Sequence, residues 1–325
     1  MGNILQSGPR PSQAALEQTR ARAAITPYRA VQTNYSSNPV TIPPSFLRIV
    51  PSSSARLPLL SQSEEQQQMP ITYAPIDFAK SQLPEYDGMY AAVLDNVLSQ
   101  EECDELIRLA ESSVPVGEGE DPWAPAMVNV GEGREMLMPN YRNGERIIWD
   151  CQEVADRIWE RCLQVRELRE LFGEVGGEDR NIFNTVGRRD GTWKFLRVND
   201  RLRFLRYGKG GFFKPHCDGV YVDTSDPSRT IKTMFTIQLY LNDSKAEAGP
   251  GSTTRLLGGA TTFLSNDERR WVDVNPKAGR VLIFQHRRLY HAGDEVLAGT
   301  KYTVRTDIMY EFVKNEGPSG EEEGY

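Results

Sequence analysis

The spacing of apolar residues changes along the chain from a helical to a strand-like period. Near residue 100, Cys103, Leu106, Ile107 and Ala110 recur at three- and four-residue intervals, as on one face of an α-helix. From residue 203 onward, short runs with a two-residue period alternate with Gly, Pro, Asn and Asp clusters, which is typical of strands. The predicted strands are residues 90–94, 203–207, 234–241, 260–264, 280–284 and 302–312.

Two helices are predicted from the residues at their first turns. Ser99 with Glu102 forms a capping box, in which each side chain bonds a free backbone N–H of the other residue. Asp150 with Glu153 repeats the pattern ahead of a second apolar stripe. The segment 173–192 is dense in Gly and charged residues and is predicted to be an exposed loop.

Helices followed by many short strands predict an α+β fold. The expected architecture is a double-stranded β-helix core (jelly-roll, cupin-like) with supporting N-terminal helices. Residues 1–70 are rich in Ser, Gln and Pro and are expected to be mostly disordered, with 46–50 docking locally. Residues 71–200 would support the β core at 201–313, and 314–325 would form an acidic tail.

Composition narrows the classes of partner. The 325 residues carry 38 Lys and Arg against 45 Asp and Glu, a net charge of -7, so no nucleic-acid partner is evident. No apolar run approaches the ~18 residues of a membrane span, and the N-terminus lacks the apolar core of a secretory signal. An intracellular location, in the cytoplasm or nucleus, is expected. Four cysteines without a CxxC pair are expected to be reduced. The oligomeric state is left open.

The chemistry is concentrated in one tripeptide and two later residues. His216 and Asp218 are two positions apart, so on a strand they project to one face and one metal can bind both. A distant histidine, either His286 or His291, would complete a 2-His-1-carboxylate triad with open positions for cosubstrate and oxygen. Lys301 would supply a fixed charge for a cosubstrate carboxylate. The tripeptide alone is common by chance, so its surroundings decide its meaning.

Five segments surround or follow the tripeptide: 207–218 (Tyr-Gly-Lys-Gly-Gly-Phe-Phe-Lys-Pro-His-Cys-Asp), 233–241, 258–264, 276–284 and 291–302. Together they resemble the catalytic domain of the prolyl 4-hydroxylase-like 2-oxoglutarate/Fe(II) dioxygenases. The resemblance covers residues 85–313 and is strongest over 203–312. It implies Fe(II), 2-oxoglutarate and O2, with ascorbate as a candidate reductant, and makes 201–313 the dioxygenase core.

The resemblance also assigns the metal ligands. The family pattern places a basic residue ten positions after the distal ligand, and Lys301 follows His291 at that spacing. This favours His291 over His286, which would then be a hydrogen-bonding residue behind the ligands. The implied metal ligands and catalytic residues are therefore His216, Asp218 and His291.

The cosubstrate anchors follow from the same pattern. Lys301 stands where the family places the cation that binds the C5 carboxylate of 2-oxoglutarate. Arg305, at the same strand parity, either shares this role, holds a substrate anion or pairs with Asp307. Tyr240 and Tyr207 match family tyrosines that line the cosubstrate pocket.

The implied activity is hydroxylation of an unactivated C–H bond, with decarboxylation of 2-oxoglutarate to succinate and CO2. The resemblance implies a prolyl residue in a protein as the substrate, and the alternative is a small molecule such as an anionic metabolite. A group at Trp123, Asn140–Arg142 and Trp149 is a candidate for the substrate entrance. A non-catalytic binding module and a zinc hydrolase are the rival classes, although the sequence offers no general base at a telling spacing for the hydrolase.

Overall fold

The computed structural model describes residues 25–49, 69–117, 119–131, 133–176, 182 and 190–315. The expectations for residues 1–24, 50–68 and 316–325 lie outside the described residues. None of the helices in the described ranges combines the length and apolar character that a bilayer crossing requires.

Strands dominate the described part of the chain. The helices are α1 (Gln100–Ser112), α2 (Gln152–Cys162) and α3 (Arg166–Leu171), and Phe78–Lys80 and Pro84–Tyr86 are short 3-10 helices. The strands are β1 (Ala30–Gln32), β2 (Thr72–Pro75), β3 (Ala91–Asp95), β4 (Ala124–Pro125), β5 (Val128–Gly131), β6 (Arg134–Met136), β7 (Arg142–Asn143), β8 (Glu145–Asp150), β9 (Glu174–Gly176), β10 (Gly191–Val198), β11 (Arg201–Tyr207), β12 (Phe212–His216), β13 (Val222–Asp223), β14 (Ile231–Tyr240), β15 (Leu257–Gly258), β16 (Thr261–Leu264), β17 (Trp271–Val274), β18 (Val281–Gln285), β19 (His291–Gly293), β20 (Val296–Ala298) and β21 (Lys301–Lys314).

Two sheets pack face to face. The larger contains β2-β3-β18-β14-β21-β11-β8-β4 in spatial order, with β9, β10 and β13 attached, and the smaller contains β17-β16-β19-β12-β7. Their strands pair antiparallel. Phe263 of the smaller sheet meets Phe284 of the larger edge-to-face, with ring centroids 5.6 Å apart. The arrangement is consistent with the predicted jelly-roll core.

The central strand β14 is buried on both of its faces because its residues alternate between two packing layers. Phe235, Ile237 and Leu239 belong to the main apolar core, which also contains the inner residues of α1 and α2. Thr236 and Gln238 project to the opposite side, toward the space between the two sheets. The period of two therefore directs one row of side chains to the helices and the other to the interior of the sandwich.

The helix starts differ from each other. At α1, Ser99 accepts from the Glu102 backbone N–H and the Glu102 carboxylate accepts from Ser99, which is the expected capping box. At α2 the expectation of an Asp150 cap is wrong: Cys151 is the N-cap without a side-chain bond. Asp150 instead ends β8 and accepts two hydrogen bonds from Arg201 across the strand pair. The cross-strand guanidinium replaces the cap as the partner of this carboxylate.

Residues 25–49 lie against the domain, which differs from the mostly disordered extension expected for 1–70. Strand β1 pairs with β6, and Phe46 and Leu47 are buried in the main core. Their carbonyls accept hydrogen bonds from two buried arginines of α2, Arg157 and Arg161. Local docking was expected for 46–50, and Phe46 and Leu47 do pack on the core, whereas composition gave no signal for the pairing of β1 with β6, a strand about a hundred residues away.

Parts of the segment 173–192 also differ from the expected loop. Strand β9 pairs with residues 192–194 of β10, while 177–181 and 183–189 lie outside the described residues.

Candidate active site

The two histidines of the site are held opposite each other by strand pairing. His216 ends β12 and His291 begins β19, and the two residues are direct partners in the antiparallel register. Their ring centroids are 4.5 Å apart. Two residues distant by 75 positions in sequence thus face the same space because their strands are neighbours in the smaller sheet.

Asp218 completes the cluster from just beyond the end of β12. Its Oδ1 lies 3.6 Å from His216 Nε2, and its Oδ2 lies 3.9 Å from His291 Nε2. The three ligand atoms lie within 4.8 Å of one another. Two imidazoles and one carboxylate at this separation can share one ion.

Backbone carbonyls set the tautomer of both imidazoles. His216 Nδ1 lies 2.8 Å from the Lys214 carbonyl oxygen, and His291 Nδ1 lies 2.9 Å from the Leu289 carbonyl oxygen. A carbonyl only accepts, so each Nδ1 carries the proton and each Nε2 lone pair is left for a metal. Burial lowers the pKa of His291 to about 4, although Asp218 partly opposes this. The donor set therefore fits a ferrous ion.

Asp218 is held by partners other than the histidines. Its Oδ1 is 2.7 Å from Arg305 Nη1, and its Oδ2 accepts a 2.6 Å hydrogen bond from the Thr236 hydroxyl. Burial alone would raise the pKa of this carboxyl, but the Arg305 guanidinium beside it holds that pKa well below its usual range. The carboxylate is ionised and ready to coordinate.

A pocket extends from the cluster between the two sheets. Its polar wall includes Arg142, Tyr207, Gln238, Thr261, Lys301 and Arg305. Lys301, Thr303 and Arg305 reach it together because they occupy alternate positions of β21, while Val304 and Ile308 on the other face enter the main core. Lys301 and Arg305 thus lie on one face of β21, as the two-residue period predicted.

Lys301 is a buried cation. It is 3 % exposed, and its Nζ lies 5.8 Å from the Tyr207 ring centroid and 5.7 Å from that of Tyr240. In the described part of the chain no carboxylate lies within ion-pair distance of it. Burial lowers the pKa of Lys301 to about 8, and the more distant Asp294 only partly offsets this. Such an ammonium is a ready partner for the carboxylate of a small ligand.

The part of the chain that carries this site matches the model of a known protein family. Residues 202–306 match the model of the 2OG-Fe(II) oxygenase superfamily. These residues form a 2OG-Fe(II) oxygenase domain. The predicted class, a dioxygenase that depends on Fe(II) and 2-oxoglutarate, is thereby confirmed.

Solved structures similar to this chain include three prolyl hydroxylases. A viral collagen prolyl hydroxylase from Paramecium Bursaria Chlorella virus-1 is 22% identical and covers 68% of this chain and 97% of its own, with a TM-score of 0.39. A prolyl-4-hydroxylase from Pseudomonas putida is 15% identical, covers 71% and 95%, and has a TM-score of 0.42. A prolyl hydroxylase from Trichoplax adhaerens, in complex with a hypoxia inducible factor peptide fragment, is 14% identical, covers 67% and 82%, and has a TM-score of 0.41. No curated protein matches the sequence.

His286, the alternative distal histidine, lies elsewhere in the oxygenase. It is fully buried, and its Nε2 is 3.3 Å from Asp307 Oδ1. The three-residue cluster contains His291 instead. His286 therefore contacts Asp307, which in turn binds Arg305, and lies outside the His-Asp-His cluster.

The two predicted tyrosines occupy different depths of the pocket wall. Tyr207 lines the pocket and is the direct strand partner of Lys301. Tyr240 is fully buried, and its hydroxyl donates to Thr261 Oγ1 at 2.7 Å. Thr261 itself lines the pocket, so it stands between the Tyr240 hydroxyl and the cavity.

Of the five residues of the predicted substrate entrance, one lines the pocket, the two tryptophans lie in the core, Asn140 is exposed and Tyr141 packs edge-to-face on Phe213. Trp123 and Trp149 are buried in the main core, whereas Arg142 lines the pocket. The Arg142 guanidinium carbon lies 4.5 Å from the Phe213 ring centroid, and Phe213 stacks on His216 at 3.8 Å.

Thr236 and Thr261 had no sequence signal of their own, since an alternating strand contains many such threonines. Cys217 is exposed and is not part of the three-residue cluster.

Proposed function

We propose that the protein hydroxylates a C–H bond of its substrate, using 2-oxoglutarate and O2. One oxygen atom enters the substrate as a hydroxyl group and the other enters succinate as 2-oxoglutarate loses CO2. The observation that carries the proposal is the meeting of a His-Asp-His cluster and a buried, unpaired lysine in one pocket. The matched family implies the same pair of cofactors.

His216, Asp218 and His291 would hold the iron through Nε2, Nε2 and a carboxylate oxygen. Three ligands on one face leave open positions for a chelating cosubstrate and oxygen. When bound, the iron supplies the oxygen activation and the coupled oxidation of 2-oxoglutarate. The protein supplies neutral imidazoles, an ionised carboxylate and a pocket between the two sheets.

Lys301 would bind the C5 carboxylate of 2-oxoglutarate. Its ammonium is buried without a partner among the described residues, and a buried carboxylate needs a paired charge. Tyr207 lies beside it with its hydroxyl in reach of Arg142, at 3.3 Å, and would add a second donor. Tyr240 would act through Thr261, whose hydroxyl oxygen accepts a hydrogen bond from the Tyr240 hydroxyl.

The first candidate substrate is a prolyl residue in a protein, on the basis of the prolyl 4-hydroxylase-like motifs. The iron site alone does not select it, because one fold hosts many substrates. A peptide must enter an open pocket mouth, and Arg142 would then donate to backbone carbonyls of the peptide.

A small carboxylic acid is the second candidate, and Arg142 favours it. The buried Nε of Arg142 has no hydrogen-bond partner in the described residues, and no anion there pairs with its guanidinium. If Lys301 takes the cosubstrate, this cation remains available for a substrate carboxylate. Arg142→Gln should then raise the KM for an acid substrate more than the KM for 2-oxoglutarate, which Arg142 affects only through its contact with Tyr207.

The deciding experiment measures succinate formation from 2-oxoglutarate by protein purified without oxygen. Fe(II) and air are added with and without ascorbate, and Asp218→Ala is the control. Succinate in the wild type alone supports the proposal, and stimulation by prolyl peptides or by small acids separates the two substrates. A wild type that binds neither Fe(II) nor 2-oxoglutarate would overturn it in favour of a non-catalytic binding module.

A further inference from the structure

We propose that Arg305 is a positioning residue for the metal-binding carboxylate, and that Asp307 holds it in place. This role rests on the proposed function, in which Asp218 binds iron, but it can be tested by metal binding without any turnover. It assigns to Arg305 a role toward Asp218 in place of a role as cosubstrate anchor. It also brings into the site a residue, Asp307, that does not line the pocket.

Arg305 bridges two buried carboxylates. Its Nη1 lies 2.7 Å from Asp218 Oδ1, and its Nη2 lies 3.1 Å from Asp307 Oδ1. Arg305 and Asp307 are two positions apart on β21, so both project to the same face. The two ends of one planar guanidinium are therefore committed, which fixes the plane in which it can donate.

Asp307 is anchored from behind by two further groups. Its Oδ2 is 2.9 Å from Arg203 Nη1, and its Oδ1 is 3.3 Å from His286 Nε2. Arg203 is the direct partner of Arg305 in the pairing of β11 with β21. Two buried carboxylates and two half-buried guanidiniums thus form a chain from the β11–β21 strand pair to the metal ligand, with opposite charges adjacent along it.

The chain restricts how Asp218 can bind a metal. Arg305 occupies one lone pair on Oδ1, and Thr236 occupies one on Oδ2. With one donor on each oxygen, rotation of the carboxylate breaks at least one charge-assisted hydrogen bond. A fixed carboxylate presents the same lone pairs to every incoming ion, and groups that orient a ligand in this way commonly contribute about 10- to 100-fold to metal affinity.

Orientation and simple charge predict opposite results for one variant. Arg305→Gln removes a positive charge next to the metal site, so a purely electrostatic role would tighten metal binding. If Arg305 positions Asp218, the same change weakens metal binding. A cosubstrate anchor would give a third result, a weaker affinity for 2-oxoglutarate at unchanged metal affinity.

The experiment is titration of the full-length apoprotein with Mn(II), with free Mn(II) followed by electron paramagnetic resonance. Arg305→Gln and the isosteric Asp307→Asn are each expected to raise the Kd for Mn(II) at least about tenfold, and Arg305→Lys to recover part of it. The visible spectrum of bound Co(II) should also change in Asp307→Asn, which a remote stability defect would not produce. Asp307→Asn decides the question if Arg305→Gln does not fold.

Two controls isolate the effect. Glu311 lies on β21, like Arg305, but forms a surface ion pair with Arg229, whose Nη2 is 2.5 Å from Glu311 Oε2. Arg229→Gln breaks this pair and should leave Mn(II) affinity unchanged. Lys301→Gln should weaken 2-oxoglutarate binding alone. Wild-type Mn(II) affinity in both Arg305→Gln and Asp307→Asn, or tighter binding in Arg305→Gln, would overturn the inference. Tight Mn(II) binding by the wild type without succinate formation would instead count against the proposed function.

Discussion

Replacing Lys301 by Met should stabilise the protein that lacks metal and cosubstrate while removing cosubstrate binding. Lys301 is 3 % exposed and has no ion-pair partner in the described residues. Burial moves its pKa from 10.5 to about 8. At about 1.4 kcal/mol for each pKa unit, keeping this ammonium charged inside the fold costs about 3 kcal/mol at neutral pH. Met has similar length, no charge and a flexible side chain that fills the same space.

The difference in the free energy of unfolding between the two proteins should depend on pH. Between about pH 8 and the ordinary lysine pKa, the unfolded chain binds a proton at residue 301 that the folded chain does not. The free energy of unfolding of the wild type therefore rises with pH across this window, whereas the Met variant lacks this contribution. The stability advantage of Lys301→Met should be largest at and below neutral pH and should shrink as the pH rises from about 8 to about 10.

The assay is urea unfolding of metal-free protein, followed by far-UV circular dichroism at about pH 7 and about pH 9.5. At about pH 7 the variant should exceed the wild type by up to about 3 kcal/mol, and added Mn(II) with 2-oxoglutarate should stabilise the wild type more than the variant. Lys194→Met, at an exposed lysine that is 3.4 Å from Glu174, is the control. A variant less stable than the wild type at about pH 7, or an advantage that does not change with pH, would refute the reasoning.

Two further substitutions test the pocket wall and the docked N-terminal segment. A Cβ at Gly144 would lie 2.5 Å from Tyr207 Cε1, so Gly144→Ala should displace that ring and weaken 2-oxoglutarate binding about tenfold by calorimetry. Gly176→Ala meets nothing within 4 Å and should not; equal affinities in the two variants would contradict this. Arg161→Gln removes the two hydrogen bonds that the Glu102 carboxylate accepts from Arg161, leaves it the backbone N–H of Ser99, and should lower the free energy of unfolding by up to about 3 kcal/mol. Hydrogen exchange should then quicken over residues 43–48, and a loss below about 1 kcal/mol would count against a stabilising role of this ion pair.

Most strands, and the common face of Lys301 and Arg305, were predictable because they follow from local rules. The two-residue period places Lys301 with Arg305 on a common face of β21 whatever the rest of the chain does. The capping box at Ser99 likewise involves residues three positions apart. Such features survive in any fold that contains the element, so the sequence alone specifies them.

What the sequence did not reveal depends on partners distant along the chain. Asp150 has the pattern of a helix cap, but Arg201 from the neighbouring strand binds its carboxylate. Arg305 could have met a cosubstrate, a substrate or Asp307, and only the packing of the two sheets brings Asp218 to 2.7 Å from it. The local sequence pattern determines the direction of a side chain, and the tertiary fold determines which residues that side chain contacts.

One strand, β21, carries both ends of the proposed chemistry. Lys301 at its start faces the cosubstrate pocket, and Arg305 and Asp307 farther along hold the metal ligand. Because a strand rises about 3.3 Å per residue, these anchors are separated by a fixed length that the neighbouring strands keep rigid. The register of β14 with β21 is regular from Thr303 to Asp307, and its irregularity falls beyond, between Thr233 and Phe235. One inserted residue before position 305 would turn Arg305 and Asp307 toward the apolar core, so the spacing of the cosubstrate and metal ends depends on this unbroken strand.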